Sequence, residues 1–249
     1  MNLYDNFSKI YKKDYLKFSK NIADIFPFLI KNYIEKCDSI LDLACGEGTF
    51  CRELTKKGFN VEGVDLSKGQ IDNAKKKSFE ENLNIKFYVQ DIIKFKIDKK
   101  YDIITSWFDS LNYIIDKNNL NKVFENAYYM LNDDGVFMFD MNTIHGLITV
   151  WNDLPYYIFE DTKDLFEVHQ SNYDYENNLA YMKISFFLRQ GNNQWQKYEE
   201  EHVEKGYKKI EIKDLLTSVG FNEIYFYSSL NPLLPDLEES NRMYVVAIK

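Results

Sequence analysis

Between Ser39 and Met141 five short apolar runs alternate with segments of helical periodicity, and this rhythm constrains the fold more than any other feature of the chain. The runs cover 39–44, 60–65, 85–89, 101–106 and 136–141. Between them Thr49 to Lys57, a segment N-capped by Ser67 and reaching Lys77, and Asn118 to Leu131 read as helices. Strands that alternate with helices build right-handed βαβ units and a mostly parallel sheet.

The rhythm breaks after Met141. Three strand-like segments, 165–175, 179–189 and 195–205, follow one another with turns at Glu176-Asn177-Asn178 and Gly191-Asn192-Asn193 between them, which reads as an antiparallel insertion. The rhythm returns with a helix over 210–219, closed by Gly220, and strands at 221–228 and 243–248 with no helix between them. The expected fold is therefore α/β: a three-layer sandwich around a seven-stranded, mostly parallel sheet with an antiparallel last strand, plus a small antiparallel β insertion. The expected units are an N-terminal helical cap (1–36), a ligand-binding core (37–141), a substrate-platform insertion (142–208) and a C-terminal helix with closing hairpin (209–249). Apolar spacing predicts helix over 6–35, with Pro27 starting a new turn.

Composition narrows the class. The chain has 249 residues, enough for one elaborated domain and too few for two full-sized ones. The net charge is −8 and only Arg52, Arg189 and Arg242 are arginines, a balance that argues against a nucleic-acid partner. No apolar run reaches the roughly 18 residues of a membrane span, and the first twenty residues carry no signal-peptide pattern. Cys37, Cys45 and Cys51 form an odd set with no histidine near, so they are read as reduced thiols of a cytoplasmic protein, with no metal site.

The chemistry concentrates in Asp42-Leu43-Ala44-Cys45-Gly46-Glu47-Gly48. A strand-to-helix turn of small residues lets backbone amides approach a ligand. Gly46 and Gly48 fit the first two places of a dinucleotide fingerprint, but Cys51 stands at the third, and Asp42 would oppose a pyrophosphate. A carboxylate there suits an ammonium. Asp65 ends the second strand, where it can accept from both hydroxyls of a ribose. Asp91 ends the third, where it can accept from an adenine amino group, with Leu66 and Ile92 as apolar flanks of the base.

With these residues in this order the chain resembles the class I S-adenosylmethionine-dependent methyltransferases. The resemblance spans about 38–141 and rests on Asp42–Gly48, Val64–Ser67, Gln90–Ile92 and Tyr101–Tyr113, with Ala44 in place of the usual first glycine. It implies a Rossmann-like methyltransferase fold. It also implies that Asp42, Ala44, Gly46, Gly48, Asp65, Leu66, Asp91 and Ile92 hold S-adenosylmethionine, with S-adenosylhomocysteine as product. Ser106 and Trp107 match the motif after the fourth strand that lines the transfer site. Tyr4 and Tyr15 resemble the N-terminal aromatics that cover the cofactor in bacterial small-molecule members such as nucleotide-sugar N-methyltransferases.

The acceptor is then expected to be a small molecule, an amine rather than a hydroxyl, because no strong base stands out. His145, His169 and His202 are the candidate bases, with His145 favoured for its place just after the fifth strand, and Asp109 is a candidate substrate contact or helix cap. Trp107 and Phe108 suit an apolar wall beside a sulfonium. The run Glu199-Glu200-Glu201 reads as a solvated strand edge. Two other classes fit less well: a nicotinamide oxidoreductase, and a binding module that keeps the cofactor pocket without catalysis.

Overall fold

A computed structural model describes residues 13–152, 155–191, 194–236 and 239–249, with the side chains of 13–15 and 152 outside the description. Along the chain run α1 (Lys13–Leu29), β1 (Ser39–Leu43), α2 (Thr49–Lys56), β2 (Asn60–Asp65), α3 (Lys68–Glu80), β3 (Lys86–Val89), β4 (Tyr101–Ser106), α4 (Lys117–Met130) and β5 (Leu131–Asn142). Then come the single turn α5 (Ile144–Gly146), β6 (Tyr156–Asp161), β7 (Leu165–Asp174), β8 (Leu179–Arg189), β9 (Trp195–Lys205), α6 (Lys209–Val219), β10 (Glu223–Leu230), β11 (Leu233–Pro235) and β12 (Arg242–Ile248).

The strands form two sheets. The larger is ordered β11-β10-β12-β5-β4-β1-β2-β3. Strands β1 to β5 pair in parallel, and β12 lies antiparallel between β5 and β10. These are the seven expected strands with the expected antiparallel last one. The three-residue β11 adds an eighth at the edge, paired with β10.

Neighbouring residues of one strand feed opposite cores, because side chains alternate across a sheet. Leu41, Ile104, Phe137 and Phe139 pack with α4 and α6 residues such as Phe124 and Leu216. Ile40, Ile103, Val136 and Met138 pack with Phe26 of α1, Leu54 of α2 and Ile71 of α3 on the other face. Both faces are covered, which explains why these strands read as unbroken apolar runs. Ser67 caps α3 by accepting from Gln70 N–H at 3.3 Å. Asp116 caps α4 by accepting from Asn119 N–H at 2.9 Å.

The second sheet, β6-β7-β8-β9, is antiparallel throughout and closes on its own core of Leu147, Trp151, Tyr173, Ile184 and Phe186. Its first strand, β6, is absent from the sequence expectation. It is largely exposed, so burial does not impose a regular period on it. Two boundaries also move. Helix α1 passes through Pro27 to Leu29 and ends in a 3-10 turn at Ile30–Asn32, short of residue 35, while residues 6–12 lie outside the described ones. Strand β5 starts at Leu131, five residues before the run expected at 136–141. Among the described residues no helix is long and apolar enough to cross a membrane.

A candidate ligand cavity between the two sheets

The carboxyl ends of β1, β2 and β4 and the inner faces of β7, β8 and β9 enclose one cavity of about 490 Å³. Its floor is the turn after β1. Ala44, Gly46 and Gly48 have φ of 56°, 54° and 72°, so the turn coils through the left-handed region three times in five residues. Asp65 locks it. Its Oδ2 accepts from Gly46 N–H at 2.8 Å, and its Oδ1 from Ser67 N–H at 2.8 Å. Each oxygen keeps further acceptor capacity toward the cavity.

Of the residues expected to bind a cofactor, Asp42, Ala44, Gly46, Asp65, Leu66, Asp91, Ile92 and Trp107 line this cavity. Asp91 also accepts from Ile93 N–H at 2.9 Å. Two others stand aside. Gly48 is not in the lining, and a Cβ there would meet the Phe87 ring at 2.8 Å and Ala74 Cβ at 3.1 Å, so its smallness serves helix–sheet packing. Ser106 is fully buried behind the lining, and its Oγ has no hydrogen-bond partner among the described residues. Tyr4 lies outside the described residues. Tyr15 is in α1, with its side chain outside the description.

The wall over the turn is aromatic. Trp107 meets Phe50 edge-on at 5.9 Å, and Phe108 meets Phe18 at 5.1 Å. Phe108 and Asp109 both have positive φ, 64° and 50°. That backbone is held by the fully buried Asp140, which accepts from Phe108 N–H at 2.6 Å and Asp109 N–H at 3.2 Å. Arg242 clamps the group: its guanidinium donates to Asp140 and, at 2.7 Å, to Asp109 Oδ1. Asp109 thus lines the cavity as an ion-paired carboxylate.

The second sheet brings two of the three candidate bases to the cavity. His169 and His202 both line the cavity, while the favoured His145 does not. It lies on the single turn α5, one residue before Gly146, where a Cβ would collide with the backbone carbonyl of Asn241, so this turn is held against the 240–242 segment. His169 pairs with Tyr157 Oη at 2.8 Å and with Glu167 Oε1 at 2.6 Å. His202 meets Tyr113 Oη at 3.1 Å and lies 3.5 Å from Glu200. Glu204 accepts from Asn142 Nδ2–H at 2.8 Å, and Asn112 ties the sheets by donating to Asn142 and Lys205 carbonyls at 3.0 and 2.9 Å. The acidic run therefore splits: Glu199 and Glu201 are exposed as expected, whereas Glu200 turns inward beside His202.

Burial sets the electrostatics. It raises the Asp42 carboxyl to about 7, against hydrogen bonds from Thr105 and Cys51 that pull the other way. It also raises Asp65 and Asp140, and it lifts Glu204 well above the usual carboxylate range, with the neighbouring Asp109 adding to the effect. Five acidic side chains, Asp42, Asp65, Asp91, Asp109 and Glu204, line the cavity against one guanidinium already committed to Asp109 and Asp140. Empty, the cavity keeps Asp42 and Glu204 largely protonated, and a cationic occupant would draw such carboxyl groups to their ionised form.

Comparison with known proteins agrees with the geometry. A family described as "Methyltransferase domain" matches residues 40–135. The crystal structure of an S-adenosylmethionine-dependent methyltransferase from Clostridium acetobutylicum ATCC 824 is 31% identical, covers 98% of both chains and superposes with a TM-score of 0.80. A dTDP-3-amino-3,4,6-trideoxy-alpha-D-glucopyranose N,N-dimethyltransferase from Streptomyces venezuelae is 29% identical over 45% of this chain and 44% of its own. The sugar N-methyltransferase KedS8 from Streptoalloteichus sp ATCC 53650, at 14% identity and a TM-score of 0.75 over 100% of this chain and 93% of its own, shares the fold.

Proposed function

The chain belongs to the class I S-adenosylmethionine-dependent methyltransferases, and from that premise we propose that it methylates a small-molecule amine. The carrying observation is the excess of carboxyl groups in the cavity, which suits two cations at once: the sulfonium and ammonium of the donor, and a protonated amine acceptor.

The residues fit the donor. The left-handed turn at Ala44 and Gly46 brings the backbone up to the cavity without bulky side chains, Asp42 can face an ammonium, Asp65 has acceptor capacity left for ribose hydroxyls, and Asp91 can accept from an adenine amino group between Leu66 and Ile92. When bound, S-adenosylmethionine supplies a methyl group already activated on a sulfonium. The protein's part is then to align, desolvate and deprotonate the acceptor. Trp107 and Phe108 supply an apolar wall that excludes water there. The second sheet, on the far side of the cavity from the glycine turn, is the platform for the acceptor, and α1 borders the cavity through Ser19. Names of relatives that act on aminosugars support an amine.

The test incubates the full chain and S-adenosylmethionine with a panel of small amines, aminosugar nucleotides among them, and matched hydroxyl compounds. S-adenosylhomocysteine release and one added methyl by mass spectrometry are the readouts. Methylated amines are expected. Methylated hydroxyl compounds with untouched amines would overturn the amine assignment.

A further inference from the structure

The cavity's platform wall carries a hydrogen-bonded chain, Tyr157–His169–Glu167, that ends on a buried carboxylate. Glu167 is 1% exposed and His169 2% exposed, two residues apart on the inward face of β7. Tyr157 stands directly opposite His169 in the β6–β7 register. An ionised Glu167 can only accept, so the 2.6 Å contact assigns the proton to His169 Nε2. The neutral ring then has its lone pair on Nδ1, which accepts from the Tyr157 hydroxyl at 2.8 Å. Phe159 stacks on the imidazole at 4.6 Å and 3°, fixing the ring plane. Tyr157, Phe159 and His169 all line the cavity, so the chain opens into it at the phenol oxygen.

Resting on the methyltransferase reading above, we propose that Glu167–His169–Tyr157 is the proton relay that deprotonates the acceptor. A proton leaves the acceptor's ammonium for Tyr157 Oη while the phenol's own proton passes to His169 Nδ1. The acceptor becomes the neutral nucleophile, and the imidazolium formed is balanced by Glu167. That proton returns to solvent as the product leaves, so no charge accumulates. Burial raises the Tyr157 hydroxyl above its usual range, which fits a phenol that exchanges protons and never persists as phenolate. The second set, Tyr113, His202 and Glu200, is looser, with its carboxylate 3.5 Å from the ring and Tyr113 meeting the imidazole edge-on at 5.9 Å.

The test compares two nucleosides on the full-length protein by calorimetry. S-adenosylhomocysteine carries nothing at the methyl position, whereas sinefungin carries an ammonium there. A relay facing that position accepts from the sinefungin ammonium through Tyr157 Oη. Tyr157→Phe should therefore weaken sinefungin by about tenfold, as loss of a charged hydrogen bond does, and leave S-adenosylhomocysteine within about twofold. Glu167 acts through His169 and is a positioning residue. Glu167→Gln should lower the same ratio while leaving S-adenosylhomocysteine within about twofold, a selective loss that a merely structural role does not produce. A sinefungin ratio unmoved by Tyr157→Phe, or equal losses for both nucleosides, overturns the relay while the methyltransferase reading stands. Failure of the wild-type protein to bind either nucleoside overturns that reading itself.

Discussion

Asp42 is the residue where stability and ligand binding oppose each other most directly. It is 3% exposed on β1, accepts from Thr105 Oγ1–H at 2.7 Å and lies 3.6 Å from the Cys51 thiol. Burial lifts its carboxyl from 3.8 to about 7. The folded state thus holds this proton to higher pH than the unfolded chain. Stability from this group is full below pH 4 and is lost as pH rises to about 7, a difference of about 4 kcal/mol. Asp42→Asn removes the charge and keeps an acceptor for Thr105. The ligand-free variant should therefore be more stable than wild type at pH 8, by about 2–4 kcal/mol in urea denaturation, and no more stable at pH 4. A cationic ligand reverses the account. It draws Asp42 back to its ionised form, so wild-type binding near pH 6 should release protons into buffer. The variant should release fewer and bind S-adenosylmethionine at least about tenfold more weakly. A variant less stable than wild type at pH 8 would refute the reasoning, because the charge would then be stabilising the empty fold.

Other consequences are as direct. Arg242→Met strands Asp109 and the fully buried Asp140 without their cation and should cost about 3–5 kcal/mol in urea denaturation, partly recovered by adding Asp140→Asn; a cost below about 1 kcal/mol contradicts the clamp. Gly48→Ala places a Cβ 2.8 Å from Phe87 at φ 72° and should destabilise by about 2–4 kcal/mol, less in a Phe87→Leu background, as read from thermal midpoints. Asp65→Ala frees Gly46 N–H and should weaken S-adenosylmethionine by at least about tenfold in calorimetry; unchanged affinity removes Asp65 from the ligand site.

The core was legible because its strands are buried on both faces. Ile40 and Leu41, or Phe137 and Met138, face opposite helical layers, so every position must be apolar and the run stands out without any choice of period. Strand β6 lacked that signal. Tyr156 and Ile158 are exposed and Tyr157 is only half-buried, so apolar residues fall on both of its faces without obeying a core. Pro27 misled for a different reason. The α1 side chains before and after it, Phe26 and Leu29, are buried against α2 and the sheet, and that packing outweighs the missing N–H.

The two halves of the cavity differ in the same way. On the core side each cavity-lining carboxyl closes or sits near the end of a strand, so one position suffices to place it at the cavity, as with Asp42, Asp65 and Asp91. On the side of the second sheet a residue's place depends on which face of a strand it occupies, and shifting the alternation by one residue reverses the answer. His169 and Glu167 share one face of β7; His202, Glu200 and Glu204 share one face of β9. Between them β8 sets Ile184 opposite both His169 and Glu200, and Met182 opposite His202. A signal did exist: Glu-x-His occurs once in each flanking strand, at Glu167-Val168-His169 and Glu200-Glu201-His202. Two acid–imidazole pairs at strand period, on strands that both flank one partner, are placed by topology on the same face of one sheet. That face is the one turned toward the glycine turn, since His169, His202 and Glu204 line the same cavity as Ala44 and Gly46.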